Sequence, residues 1–231
     1  MPKENRNKII KDVAKEILSP HGIFQKGQSR TWLDDNGWFI TVIEYQPSHW
    51  ATGTYLNVGM DILWEEHDRY SSFVLSIMDR VRIDNGDEFI EYENDQQFIE
   101  KVSLATQMAL DMAIHYRKFQ DLSFADQQIN SKPIYHTNWS EQKRSVLIRC
   151  LADNDKAKEY INNYFMLVSG NDPLMPLLKK YKDSIGTENE STKEIRDYLV
   201  SMILKQREYW RSKGLKKLHP DSMFLNLLQK N

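Results

Sequence analysis

The run RTWLDDNGWFITVIEYQP, Arg30 to Pro47, decides the fold. β-branched and aromatic residues flank Asn36-Gly37, and both of those residues tolerate positive φ, so the run reads as two strands folded back on each other. With Asn36 and Gly37 as the two turn residues, the predicted pairs are Asp35 with Trp38, Leu33 with Ile40 and Thr31 with Val42. The long strand runs from Trp38 to Gln46, and Pro47 ends it because proline has no N–H for the ladder. Thr54 to Trp64 is the next strand. Leu56, Val58, Met60, Ile62 and Trp64 point one way, and Tyr55, Asn57, Gly59 and Asp61 the other. A second turn signal, Asn85-Gly86, predicts a hairpin between Phe73–Ile83 and Glu88–Tyr92.

Continuing the hairpin register across the Pro47–Gly53 loop predicts two unlike faces. One carries Leu33, Trp38, Ile40, Val42, Leu56, Val58, Met60 and Ile62, an apolar core face. The other carries Arg30, Trp32, Asp34, Phe39, Thr41, Ile43, Tyr45, Tyr55, Asn57 and Asp61. Aromatic bodies with a few orienting polar groups suit a ligand or a partner. The candidate binding residues are therefore Arg30, Trp32, Tyr45, Tyr55, Asn57 and Asp61, with Trp50 added from the loop. Trp50 either tucks onto the sheet edge or, if the loop presents it, is a contact residue. The competing expectation is that the C-terminal helices cover this second face.

Helical periodicity frames the strands. Ile9, Ile10, Val13, Ala14, Ile17 and Leu18 make an amphipathic helix over residues 5–18, stopped by Ser19-Pro20-His21-Gly22. Asn94 and Gln97 form a capping box. Behind it Phe98, Val102, Ala105, Ala109, Met112, Tyr116 and Phe119 form one seam, with small residues at its middle for close approach to a sheet. Residues 121–139 read as a connection, followed by helices: one through Leu151, one along Ala157–Val168, one after Asp172-Pro173, one from Ser191 to about Lys213, and a short one over 221–229. The expected fold is α+β: an antiparallel sheet of four to five strands with helices on one face, then an all-helical C-terminal half. The expected domains are 1–132 and 133–231.

Composition narrows the function classes. Of 231 residues, 40% are hydrophobic and 28% charged, as in ordinary globular chains. A single cysteine, Cys150, excludes an internal disulfide and a multi-cysteine zinc site. The N-terminal segment is charged and lacks a signal-peptide core, and no apolar run is long enough to span a bilayer, so the expected location is cytoplasmic with no membrane partner. Residues 1–132 carry a net charge of −7 and residues 133–231 one of +5. An acidic sheet half argues against nucleic acid, whose phosphates need positive potential.

The six histidines show no HxxxH or HExxH spacing, and Walker, GxGxxG and GxSxG motifs are absent. Glu65-Glu66-His67-Asp68 reads as a solvated turn before it reads as a metal corner, and no metal or cofactor is expected. Lys205, Arg207, Arg211, Lys213, Lys216 and Lys217 gather around Tyr209 and Trp210. The helix dipole favours such a basic C-terminus without any ligand.

Gly22-Ile23-Phe24-Gln25-Lys26, Ser29-Arg30-Thr31-Trp32, Asp35-Asn36-Gly37-Trp38, Asn57-Val58-Gly59 and Phe89-Ile90-Glu91-Tyr92-Glu93-Asn94-Asp95 together resemble an uncharacterised bacterial family of proteins of unknown function. The resemblance covers about residues 20–120, with Ile23 standing where that family usually has Phe. It implies a fold region and no mechanism. The expected function is a non-catalytic binding or interaction protein that recognises another protein, of the immunity or adaptor kind. The alternative is a small-ligand binder or enzyme on the aromatic-polar face, with Asp61 or Glu44 as acid/base and Arg30 as anion clamp.

Overall fold

The computed structural model describes residues 3–64, 77–83, 86–129, 148, 151, 176, 179 and 190–230. The helices expected between 138 and 186, Cys150 and the Glu65–Asp68 segment lie outside them, four isolated positions aside. The fold is α+β with an antiparallel sheet. Its elements run α1 (Lys3–Leu18), β1 (Phe24–Gln25), β2 (Thr31–Asp35), β3 (Phe39–Pro47), β4 (Gly53–Ile62), β5 (Ile77–Arg80), β6 (Phe89–Glu91), α2 (Asp95–Tyr116), α3 (Leu122–Ile129), α4 (Glu190–Ser212) and α5 (Asp221–Lys230). The chain divides into two compact units, Met1–Arg117 with Arg207–Asp221, and Lys118–Gln206 with Ser222–Asn231. The first holds the whole sheet.

The β2–β3 hairpin is shifted from the predicted register by two residues. Leu33 pairs with Val42 and Asp35 with Ile40, and Asn36 N–H donates to Phe39 C=O at 3.0 Å. The turn residues are thus Gly37-Trp38. Gly37 has φ 86°, a left-handed conformation that glycine adopts without a Cβ penalty. Asn36 serves from outside the turn: its side-chain amide donates to Asp34 C=O at 3.1 Å and to Thr41 Oγ1 at 3.0 Å. A shift of two leaves every side chain on its expected face, because the pleat repeats every two residues.

The β3–β4 pairing does not preserve the expected faces. Ile43 pairs with Val58, Tyr45 with Leu56 and Ile40 with Asp61. Six residues, 48–53, separate the last pair, Pro47 and Thr54, and an even count puts odd positions of β3 opposite even positions of β4. Leu56, Val58, Met60 and Ile62 therefore join Trp32, Phe39, Ile43 and Tyr45, while Tyr55, Asn57 and Asp61 join Leu33, Ile40, Val42 and Glu44. The predicted apolar and aromatic-polar faces are both composites of the real ones.

A third difference concerns β5 and β6. They do not pair with each other. Both pair with β4, β5 at Asn57–Met60 and β6 at Gly53–Tyr55, end to end along one edge. Among the described residues between them, Ile83 and Asp87 form an isolated bridge.

Helices α1 and α2 cover the face that bears Trp32, Ile43, Tyr45, Leu56 and Val58, in one cluster with Ile10, Val13, Ala14, Leu18, Phe98, Val102, Ala105 and Ala109. Withdrawing a Leu or Ile fully from water stabilises by about 1.5–3 kcal/mol. Asn94 caps α2 as expected, its side chain accepting from Gln97 N–H at 3.0 Å. The buried seam runs through Phe98, Val102, Ala105 and Ala109 and continues at Ala113. Inside this core Tyr45 Oη and Thr106 Oγ1 lie 2.7 Å apart. Thr106 donates to Val102 C=O at 2.6 Å, so Tyr45 is the donor in their bond. Burial pushes the Tyr45 hydroxyl above its ordinary value.

Candidate functional site

The structure divides the sequence-chosen residues between the two faces and the loop. Trp32 and Tyr45 are 2% and 1% exposed on the helix-covered face, where they are core and not binding surface. Arg30 lies on the same side, and its guanidinium donates to Asn7 Oδ1 of α1. Burial, with Arg6 nearby, pulls Arg30 below the usual arginine value. Tyr55, Asn57 and Asp61 belong to the opposite face. Arg30 therefore cannot act as clamp for Glu44 or Asp61, which share that opposite face, and the catalytic constellation expected from the sequence does not assemble.

On the second face Tyr55 and Asn57 gather residues the sequence reading had passed over. Arg80 of β5 pairs directly with Asn57. Its Nε donates to Asn57 Oδ1 at 3.1 Å, Asn57 Nδ2 donates to Gln46 Oε1 at 3.0 Å, and Arg80 Nη1 reaches Glu88 Oε2 at 3.3 Å. The Arg80 guanidinium lies 4.5 Å from the Tyr55 ring centroid, a cation–π contact. Phe89 of β6 closes the group, its ring 5.0 Å from that of Tyr55. β6 comes this close because residue 53 is glycine: a Cβ there would sit 2.6 Å from Phe89 Cζ and collide with Ile90 C=O. The signal in the sequence was the charge alternation Arg80-Val81-Arg82, but only the end-to-end pairing of β5 and β6 puts it beside Tyr55.

Next to this group the β3–β4 loop presents Trp50, 98% exposed. Ser48 Oγ accepts from the N–H groups of Trp50 and Ala51 at 3.1 and 3.2 Å, so the loop backbone is held while the indole stands in water. Met78, two residues along β5 from Arg80, is 54% exposed, and Tyr55 and Phe89 are half-buried.

The neighbouring acids Asp34 and Asp35 point to opposite faces and each receives an arginine. Asp34 takes Arg117 from the end of α2, Nε–Oδ2 2.8 Å and Nη2–Oδ1 3.0 Å. Asp35 takes Arg207 at 2.7 and 2.9 Å. Arg207 also donates to Gly37 C=O, His219 C=O and Asp221 Oδ1. All five guanidinium N–H groups are thus used. Asp35 in turn accepts from Gly37 N–H and His219 N–H. Arg211 donates to Asp221 at 2.7 and 2.9 Å, which holds the Asp221 carboxyl below the usual aspartate value. The two arginines of the basic cluster are therefore spent on structure, and a nucleic-acid surface at 207–217 loses its strongest phosphate ligands.

Among the described residues no group of three or more His, Cys, Asp and Glu is placed to hold a metal ion, and no helix is long and apolar enough to cross a membrane. Lys26 faces Glu44 and Asp61; its burial lowers its pKa and the two carboxylates oppose that shift. Compared with known proteins, the chain matches no family model, no curated protein and no solved structure.

Proposed function

We propose that this chain is a non-catalytic, cytoplasmic binding protein that engages another protein at the sheet end formed by Trp50, Tyr55, Met78, Arg80 and Phe89. The observation that carries the reading is Trp50, 98% exposed on a loop whose backbone Ser48 holds. A loop whose backbone is already held loses little backbone entropy on contact, and Trp, Tyr and Arg are the residue types that dominate binding hot spots. Trp50, Tyr55 and Arg80 are those three types at one end of one sheet. The surrounding polar groups, Asn57, Gln46 and Glu88, already bond to each other or to Arg80. They shape a surface rather than offer reactive atoms. An immunity- or adaptor-type role is the form of this reading that fits a protein partner.

The test is a photo-crosslinking amino acid placed at position 50, with the exposed Glu16 of α1 as control, in cells that produce the protein. The expected result is a discrete adduct from position 50 whose partner, once purified, binds the wild type and not Trp50→Ala. Equal background from both positions, or undiminished binding of Trp50→Ala, would sink the reading.

A further inference from the structure

β5 and β6 lie at the edge of the sheet opposite β1. The outward main-chain groups of such an edge are where another chain can add a strand. Which groups face outward follows from two bonds. Val81 N–H donates to Leu56 C=O at 2.9 Å, and Tyr92 N–H donates to Thr52 C=O at 2.8 Å. Bonded and non-bonded pairs alternate along an antiparallel ladder, so Asp79 and Ile90 turn their main-chain groups toward β4. Met78, Arg80, Phe89 and Glu91 turn theirs away from it.

Three of these four residues have an outward group already taken by a side chain. Asp79 Oδ1 accepts from Arg80 N–H at 2.8 Å, and Asp87 Oδ1 accepts from Phe89 N–H at 3.0 Å. Gln97 Nε2 of α2 donates to Glu91 C=O at 3.2 Å. Both aspartates are exposed. An added strand would lie about 4.8 Å from the edge and would need the two N–H groups that the carboxylates hold. It would also take those carboxylates out of water, which costs free energy unless they gain new donors.

We propose that Asp79 and Asp87 guard this edge and keep a second copy of this chain from pairing its own β5–β6 edge with it. A second copy is the partner excluded, because two copies related by a two-fold axis present the same antiparallel edge to each other. The guard rests on main-chain bonds. It is independent of the Trp50 surface, whose side-chain contacts need no open edge.

The test compares two double variants of the full chain by sedimentation velocity over a concentration series. Asp79→Asn/Asp87→Asn removes both charges and keeps an acceptor oxygen at each position. Asp79→Ala/Asp87→Ala removes charge and acceptor alike. The expected result is self-association of the alanine variant at least about tenfold tighter than that of wild type, with the asparagine variant close to wild type. Hydrogen exchange then locates the contact: in the alanine variant the Arg80 and Phe89 amides exchange fast when dilute and slow on association. If the double alanine variant does not fold, Asp79→Ala alone is compared with Asp79→Asn, with the Arg80 amide as readout. Equal association of the alanine and asparagine variants would mean that charge alone keeps the copies apart. Either that result, no association of the alanine variant, or association with the capped amides still exchanging fast overturns the proposal.

Discussion

Arg207 and Asp35, 172 residues apart in sequence, form a bidentate ion pair with both side chains 1% exposed. Removing two charges from water costs several kcal/mol each, and only a complete set of hydrogen bonds offsets it. This pair has the complete set: five donors of the guanidinium used, and four N–H bonds accepted by the carboxylate. The bond ties the return segment to the tightest turn of the sheet.

Breaking one partner leaves the other charged and buried. Arg207→Met and Asp35→Asn are each expected to destabilise by about 3–5 kcal/mol in urea unfolding. The double variant costs less than the sum, because no stranded charge remains. Additive losses would show that the pair is not coupled.

Acid weakens the same segment through Asp221. Its carboxyl pKa is lowered from 3.8, first by the Arg211 hydrogen bond and also by Arg207, against desolvation. A lowered folded value means the contribution is complete above about pH 4 and is lost as pH falls through the folded value. The stability gap between wild type and Asp221→Asn is therefore expected to be largest near neutrality and to close below pH 3.8. A gap that widens on acidification contradicts the assignment.

Gly53→Ala tests the close approach of β6. A Cβ cannot be accommodated against Ile90 C=O and the Phe89 ring unless β6 moves. The expected cost is about 1–3 kcal/mol. Hydrogen exchange quickens at Tyr92, whose N–H donates to Thr52 C=O at 2.8 Å, and is unchanged at Leu33 in β2.

The Tyr45–Thr106 bond predicts an asymmetry. Tyr45→Phe removes the donor and leaves Thr106 still bonded to Val102 C=O, at about 0.5–1.5 kcal/mol. Thr106→Val instead strands a buried phenol hydroxyl and costs more, about 1–3 kcal/mol. Equal losses, or a larger loss in Tyr45→Phe, would contradict the donor assignment.

Trp50→Ala touches nothing that holds the fold, so its unfolding free energy stays within about 0.5 kcal/mol of wild type. A larger loss would mean that the indole is packed in solution, and would remove the basis for the binding surface.

Much of the architecture is legible along the chain. The α2 cap at Asn94, the seam of Phe98, Val102, Ala105 and Ala109, and the strict alternation of β4 follow from neighbours a few residues apart. The candidate site was less legible. Tyr55 and Asn57 stood out as polar and aromatic positions of a strand, but Arg80, Glu88 and Phe89 become their neighbours only because β5 and β6 share one edge of β4. Trp32 and Tyr45 read as surface and are core. Nothing local in the sequence signals it: Tyr45 meets Thr106 of α2 only in the folded chain.

What the sequence determined by itself is the strand, helix and turn content and the side of its own strand on which each residue lies, since pleat and helix periods are local geometry. The tertiary structure decided which sides face together. The two-residue shift at Gly37 changed nothing, whereas the six-residue loop between Pro47 and Thr54 exchanged the faces of β4, because only an odd change of register inverts a strand. It also decided that Asp35 meets Arg207: charge and type are written in the chain, but the meeting of two residues 172 positions apart depends on how the whole chain closes.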